Sequence, residues 1–172
     1  MRRSISLIFI PAIILMAAGC AGAKITEMIH ARWSGTQIQS IAIDPRGGVM
    51  GEEIAMHLNS GSLRVLDADQ TIQLARRVGL DEYHVNSPEG LEALRSAGAD
   101  ALLVLKTMIG WDGNPQVVTA RLIDTRTAEV ITGFSWENGW GGDFGSVADR
   151  AMRKSVSEAA RQISMTILNR LG

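Results

Sequence analysis

One cysteine constrains this chain more than any other residue, because it stands alone at the end of an apolar leader. Cys20 is the only cysteine among 172 residues, so the rest of the chain must fold without an intramolecular disulfide. Two arginines follow Met1, residues 5–18 are apolar apart from Ser6, and the small residues 17–19 lead into Cys20. A short apolar run that ends in small residues is typical of a secretory signal peptide rather than a membrane-spanning helix.

A cysteine in this place resembles the lipobox of bacterial lipoproteins, in which the thiol is acylated before cleavage makes it the first residue. The lipobox favours Leu where this chain has Ala17, although small residues are tolerated there. The resemblance implies a covalent lipid such as palmitate on Cys20 and a domain that faces the periplasm. Ala21 replaces the aspartate that retains some lipoproteins at the inner membrane, which implies the outer membrane. The alternative is an ordinary cleaved leader or an uncleaved anchor, with Cys20 as a bystander.

The leader predicts a simple organisation for the chain. Cleavage before Cys20 leaves 153 of the 172 residues, which is enough for one domain with its own core. The spacing of Ile25, Met28 and Ile29 predicts one turn of helix in an otherwise extended tether, which would let the domain reach a partner away from the membrane. The three predicted parts are a signal peptide at 1–19, the lipidated cysteine and tether at 20–36, and a single α/β domain at 37–172.

The charge and hydropathy of the chain argue against binding to nucleic acid and against a membrane-spanning helix after the leader. The formal net charge of −1 gives no electrostatic reason to expect nucleic acid. After the leader, no apolar run approaches the roughly 20 residues that a membrane helix needs. Membrane contact is therefore expected through the lipid on Cys20.

Hydrophobic periodicity and turn residues predict an α/β (α+β) sandwich. The turn residues Asp112-Gly113-Asn114 join two strands of a three-strand antiparallel meander, and a long C-terminal helix follows it. With the two earlier strands, this gives a mixed sheet of about five strands flanked by helices. The predicted strands are 40–44, 63–66, 101–108, 116–124 and 129–136, and the predicted helices are 51–58, 70–78, 88–97 and 146–171.

No catalytic or metal-binding constellation stands out in the sequence. The histidines at 30, 57 and 84 form no HxxxH or HExxH pair, and the serines include no GxSxG elbow. The acidic residues at 67, 69, 81 and 82 have the positions of caps and solvated loops. The sequence therefore predicts a protein that is not an enzyme and has no cofactor or metal. A periplasmic hydrolase or sugar-binding protein that uses the acidic loops and tryptophans is an alternative.

Aromatic residues in loops provide the candidate contact site. Trp136, Trp140 and Phe144 fall in a glycine-rich segment between the last strand and the last helix, and Trp111 falls at the first turn of the meander. Exposed aromatic side chains on loops often bind partners, because they bury a large area with few rotatable bonds. We predict these four residues as partner-binding. The alternative is that Trp136 and Phe144 pack the loop onto the core.

Four sequence fragments, in order, resemble the CsgG/LpoB-like family of bacterial periplasmic lipoproteins. This family includes the curli-secretion lipoprotein and the penicillin-binding-protein activator. The resemblance extends from Ser40 to the end of the chain. The fragments are IAIDP at 41–45, LRVLD at 63–67, AGADALL at 97–103 and VTARLIDTRTAEVI at 118–131.

The resemblance implies a non-enzymatic module, scaffold or activator in cell-envelope assembly, with a protein partner such as a secretion machine or a peptidoglycan synthase. The chain departs from the family at Ala128, where a turn glycine is usual. It also has no spare segments for the two spanning hairpins of the pore-forming members, which favours the compact members as the model. A homo-oligomeric component of a curli-type secretion system is the alternative.

Overall fold

The computed structural model of the chain describes residues 22–30, 37–59, 63–140, 143 and 145–171. Within these residues, six strands and five helices follow one another, and a short 3-10 helix precedes α1. The strands are β1 (Lys24–His30), β2 (Ser40–Ile43), β3 (Arg64–Leu66), β4 (Ala101–Ile109), β5 (Pro115–Asp124) and β6 (Val130–Glu137). The helices are α1 (Gly48–Asn59), α2 (Ala68–Arg77), α3 (Pro88–Ser96), α4 (Val147–Met152) and α5 (Val156–Leu171).

The strands form one mixed sheet in the order β1-β6-β5-β4-β2-β3. β2 is parallel to both β3 and β4, whereas β4, β5, β6 and β1 pair antiparallel. This arrangement confirms the predicted α+β class, the meander and the mixed sheet with flanking helices. It adds a sixth strand to the five that were predicted.

Two helix pairs lie on opposite faces of the sheet. On the first sheet face, α1 and α5 pack against a core that includes Ile41, Leu103 and Phe134. On the second sheet face, α2 and α3 pack against Leu66, Leu102 and neighbouring residues of β2, β3 and β4. On that face, Thr119 and Arg121 of β5 and Ser135 of β6 are partly exposed, whereas Ile123 of β5 is buried in the second core. Part of the second sheet face is therefore open.

The helix starts follow directly from the sequence. The Asp67 side chain accepts a hydrogen bond from the Gln70 N–H at 2.7 Å, and the Gln70 side chain accepts one from the Asp67 N–H, which forms a capping box. The Ser87 hydroxyl accepts a hydrogen bond from the Gly90 N–H, and Pro88 occupies the first helical position of α3. These bonds satisfy amide groups that a helix start leaves without partners.

The predicted helical turn at residues 25–29 is wrong, because this segment is strand β1. Ile25 lies opposite the buried Trp136 of β6, and the Glu27 carboxylate pairs with Arg170 of α5. A ladder of backbone hydrogen bonds to a neighbouring strand outweighs the weak preference of three apolar residues for one helical turn. Much of the predicted tether is consequently part of the sheet.

The predicted long C-terminal helix is confirmed as α5, but its predicted start at residue 146 is wrong. Residues 153–155 leave the helical conformation and separate α4 from α5. Arg153 has extended backbone angles, φ −67° and ψ 132°. The Lys154 N–H donates to the side-chain carbonyl of Asn138 at 2.8 Å, and the Ser155 hydroxyl accepts a hydrogen bond from the Glu158 N–H at the start of α5. Side chains and a new cap therefore replace the helical hydrogen bonds at the break.

The turn between β5 and β6 contains the family departure noted in the sequence. Ala128 has a φ of +59°, and it is the one non-glycine residue with positive φ among the described residues. This conformation costs an L-residue roughly 1–2 kcal/mol. The turn tolerates it because the Asp124 carboxylate accepts hydrogen bonds from the N–H groups of Arg126 and Thr127.

Candidate functional site: an apolar tip at one end of the sheet

Exposed apolar side chains gather where β4 ends, β5 begins and β6 ends. Trp111 is 76% exposed, Trp140 is 64% exposed and Val147, the first residue of α4, is 87% exposed. Apolar side chains scattered singly on a surface are ordinary, whereas several at one end of a domain indicate an interaction surface. We call this surface the tip patch, and it consists of Met108, Ile109, Trp111, Trp140 and Val147.

The hairpin between β4 and β5 holds Trp111 in a tight turn. The Gly110 N–H donates to the Asn114 carbonyl at 2.8 Å, and the Gly113 N–H donates to the Gly110 carbonyl at 3.0 Å. Gly113 has a φ of +79°, a conformation that glycine adopts without strain. The Asp112 carboxylate accepts hydrogen bonds from the backbone and side-chain nitrogens of Asn114. The hairpin tip is thus ordered by its own turn residues.

Asn138 ties the end of β6 to the hairpin and to the break between α4 and α5. Its N–H donates to the Gln116 carbonyl at 2.8 Å. Its side-chain amide donates to the carbonyls of Pro115 at 2.7 Å and Lys154 at 2.9 Å. Because Trp140 follows Asn138 by two residues, these bonds hold Trp140 at the same end of the sheet as Trp111.

Arg153 forms a second bridge beneath the tip patch. Its Nε donates to Asp149 of α4 at 3.0 Å, and one of its terminal nitrogens donates to Asp112 of the hairpin at 3.3 Å. The side chains of Arg153 and Asp149 are only 9% and 2% exposed. Asp149 also accepts from the Gly145 N–H at 2.8 Å. One buried cation therefore joins the hairpin, α4 and the loop before α4.

The pKa of Asp112 is lowered from its ordinary value. Partial desolvation opposes this shift, but the hydrogen bonds from Asn114 and the positive charge of Arg153 outweigh it. The charged form of Asp112 is thus the form that the folded hairpin favours, so protonation of this carboxylate in acid weakens the bridge to Arg153.

The start of β1 lies at the same end of the sheet as the tip patch. Met108 pairs with Val117, Val117 pairs with Glu137, and Glu137 pairs with Lys24. These four residues form one row across the sheet, in which neighbouring strands are about 4.8 Å apart. Since β1 runs away from the tip, the residues that precede Lys24 continue past this end. Three residues lie between Cys20 and Lys24, so the four steps from one to the other span at most about 13 Å.

The structure places the predicted contact residues in different environments. Trp111 and Trp140 are exposed and lie at the same end of the sheet. Trp136 is fully buried, and its indole N–H donates to the Gln162 side chain of α5 at 2.8 Å. The expectation that Trp136 contacts a partner is therefore corrected, because this ring belongs to the core between β6 and α5. Phe144 and Cys20 lie outside the described residues.

Sequence reasoning missed the apolar and polar residues that complete this end of the domain. Met108, Ile109 and Val147 belong to predicted elements and gave no separate signal. Arg153 falls within the predicted helix 146–171 and gave no separate signal, although its side chain is only 9% exposed. Asn138 begins a glycine-rich segment, and nothing in the sequence marked its side chain as a hydrogen-bonding group. A usable signal for Trp136 was its alternation with Phe134, which puts both rings on one face of β6.

The acidic residues noted in the sequence have local structural partners. Asp67 caps α2, and Asp81 contacts the His84 ring at 2.7 Å, which lowers the pKa of Asp81. Across the described ranges, no three His, Cys, Asp or Glu side chains converge in a way that could hold a metal ion. None of the described helices has the length and apolar character to cross a membrane.

The fold is similar to those of several solved bacterial proteins, whereas no family model and no curated protein matches the chain. PelC from Paraburkholderia phytofirmans, solved as a dodecamer, is 17% identical, with a TM-score of 0.47 and coverage of 87% of this chain and 96% of that chain. Lipoprotein GNA1162 from Neisseria meningitidis is 18% identical, with a TM-score of 0.46 and coverage of 76% and 95%. The LpoB C-terminal domain from Salmonella enterica is 14% identical, with a TM-score of 0.41 and coverage of 61% and 87%. At these identities the similarity concerns the fold alone, and the resemblance to the curli-secretion lipoprotein stays a prediction.

Proposed function

We propose that this chain is a lipid-anchored module of the bacterial cell envelope, which acts by binding rather than by catalysis. Cys20 carries the lipid, and the tip patch rests on the membrane surface into which that lipid inserts. The observation that carries this proposal is the row that joins Met108 to Lys24, because it places Lys24, four positions after the predicted anchor, at the same end of the sheet as the tip patch.

The composition of the tip patch suits a membrane interface. Tryptophan side chains favour the boundary between headgroups and acyl chains, since the ring is apolar and the indole N–H is polar. Met108, Ile109 and Val147 add apolar area beside the rings. One acyl chain gives only marginal membrane binding, so a second contact from the domain strengthens the attachment.

The position of β1 changes the expected reach of the domain. A tether over residues 20–36 would let the domain travel several nanometres from its anchor, but β1 begins at Lys24 and pairs along β6. We therefore propose that the domain stays at the membrane, where its partners are other envelope-assembly proteins. Anchoring raises its effective concentration near such a partner, so a modest interface suffices.

Two features support binding rather than catalysis as the activity. Asp67 and Asp81, the acidic residues that an enzymatic alternative would use, are engaged in a helix cap and in a contact with His84. The polar groups beneath the tip patch, Asn138 and Arg153, are committed to bonds that hold the domain together. A rigid scaffold that presents a surface is the arrangement expected of an interaction module.

Replacing Cys20 with serine tests the anchor. We expect Cys20→Ser to abolish incorporation of labelled palmitate and to lower the membrane-bound fraction by about tenfold or more, because lipid insertion contributes about 0.8 kcal/mol for each buried CH₂ group. The measurement is membrane fractionation with metabolic labelling. Ser6→Ala, which leaves the cysteine in place, is the control. Unchanged labelling of Cys20→Ser would refute lipidation at this residue.

A further inference from the structure

A basic concavity of about 400 Å³ lies beside β4, and its lining ends at Thr107 without including any residue of the tip patch. It is lined by Arg46 from the 3-10 helix, Asn86 from the loop before α3, residues 104–107 of β4 and Arg121 of β5. Neither the predicted contact residues nor the proposed anchor uses this site.

The concavity exists because β2 is shorter than β4. The last β2 pair is Ile43 with Leu103, and the Asp44 N–H donates to the Leu103 carbonyl at 2.9 Å. The chain then turns away through the 3-10 helix Pro45–Gly47. On the side where β2 ends, the part of β4 beyond Leu103 therefore has no neighbouring strand. The side chains of Arg46 and Asn86 border this gap.

Arg46 is held in place by a buried carboxylate. Its Nε and one terminal nitrogen donate to Asp44 at 3.0 and 2.5 Å, and the Asp44 side chain is fully buried. This hydrogen bonding raises the pKa of Arg46, so the guanidinium stays charged. Asp44 holds two of the three guanidinium nitrogens of Arg46. The remaining N–H groups of Arg46 are therefore presented to the concavity in one orientation.

Lys106 and Arg121 contribute positive charge that the described residues do not offset. Val104 pairs with Arg121, and Lys106 pairs with Thr119, so Lys106 and Arg121 are diagonal neighbours on the second sheet face. No described residue forms an ion pair or a side-chain hydrogen bond with either of them. Two like charges this close repel each other, and an anion bound between them would relieve the repulsion.

Asn86 adds a neutral hydrogen-bonding group to the lining, because its exposed side-chain amide lies at the rim. An amide N–H of this kind can donate to a phosphate oxygen.

We propose that this concavity binds a phosphate group. Asp44 offsets one of the three positive charges, which leaves two, and a phosphate monoester carries about −1.5 to −2 charges at neutral pH. Arginine forks and a lysine ammonium are the side chains that bind phosphate oxygens in proteins. A single carboxylate would leave one cation without a counter-charge. The phosphate belongs either to a soluble phosphorylated compound or to a phospholipid headgroup.

Calorimetric titration of the full lipidated chain, in a detergent with an uncharged headgroup, tests this site. The first probe is inorganic pyrophosphate, and the second is a short-chain phosphatidic acid, whose headgroup is a phosphate monoester, compared with the matching phosphatidylcholine. We expect saturable binding that weakens by about tenfold or more in Lys106→Gln/Arg121→Gln, because two charge-assisted contacts are lost. The matched control is Arg150→Gln/Arg161→Gln, which removes two exposed charges from α4 and α5 and should leave affinity unchanged.

Each outcome has a defined meaning. Binding of pyrophosphate that depends on Lys106 and Arg121 supports a soluble source, and dependent binding of phosphatidic acid alone supports a headgroup. Binding of neither probe, or equal weakening in the control variant, overturns the proposal. Because both variants keep Cys20 and the tip patch, a failure here leaves the proposed anchoring unaffected.

Discussion

Trp136→Ala is expected to lower the free energy of unfolding by about 3–5 kcal/mol, the loss typical of a large aromatic side chain removed from a core. Trp136 is fully buried between β6 and α5, and Ile25 of β1 lies opposite it. The substitution leaves a cavity and also removes the hydrogen bond from the indole N–H to Gln162, which is 2.8 Å long. Urea unfolding of the full chain in a mild detergent measures the change.

The matched control for this prediction is Trp140→Ala. This tryptophan is 64% exposed, so its removal should change the free energy of unfolding by no more than about 0.5 kcal/mol. Similar losses for the two variants would contradict the placement of Trp136 in the core and Trp140 on the surface.

Arg153→Ala is expected to cost about 3 kcal/mol and to loosen the end of the sheet that carries the tip patch. The substitution leaves the Asp149 carboxylate buried without its cation, and the penalty for an unpaired buried charge accounts for most of this cost. It also frees Asp112 from its bridge to α4. Urea unfolding gives the stability, and hydrogen exchange of the amides at residues 110–114 reports the loosening.

Asp112→Asn tests the contact of Arg153 with Asp112 separately from its contact with Asp149. It removes the more exposed contact with Arg153, at 3.3 Å, and the acceptor oxygen that this contact shares with the Asn114 side chain, so we expect a loss of about 1 kcal/mol with faster exchange in the hairpin. Arg153→Lys should recover part of the stability, since an ammonium can reach one carboxylate but lacks the fork that spans both. Equal losses of stability in Arg153→Ala and Asp112→Asn would show that the buried contact of Arg153 with Asp149 is not the main contribution to stability.

Local sequence signals predicted the meander and most of the helices because those signals are strong and short in range. Asp67 with Gln70, and Ser87 with Pro88, specify helix starts through hydrogen bonds within a few residues. The turn Asp112-Gly113-Asn114 specifies the hairpin for the same reason. Such features do not depend on the rest of the fold.

The errors arose where distant residues determine local structure. β1 is a strand because it pairs along the edge of β6. The sequence of residues 24–30 contains no sign of that edge. The break before α5 depends on Asn138, which lies 16 residues from Lys154 in sequence. In both places, tertiary hydrogen bonds outweigh local helix propensity.

The candidate site was predicted in part. Composition picked out Trp111 and Trp140, but it could not distinguish them from Trp136, whose burial depends on the face of β6 that α5 covers. The proximity of these rings to the predicted anchor required the register of four strands, from Met108 to Lys24. The same register shows that residues 24–30 of the expected tether belong to the sheet.

The central claim is that the tip patch contacts the membrane that holds the lipid. Fluorescence quenching tests it most directly, with the lipidated chain in vesicles whose phospholipids carry bromine on the acyl chains near the headgroup. With Trp33 replaced by Phe in both proteins, we expect tryptophan emission to be quenched in the parent and most of that quenching to disappear in Trp111→Phe/Trp140→Phe, which keeps the buried Trp136. Equal quenching in the two proteins, or none in the parent, would contradict the claim.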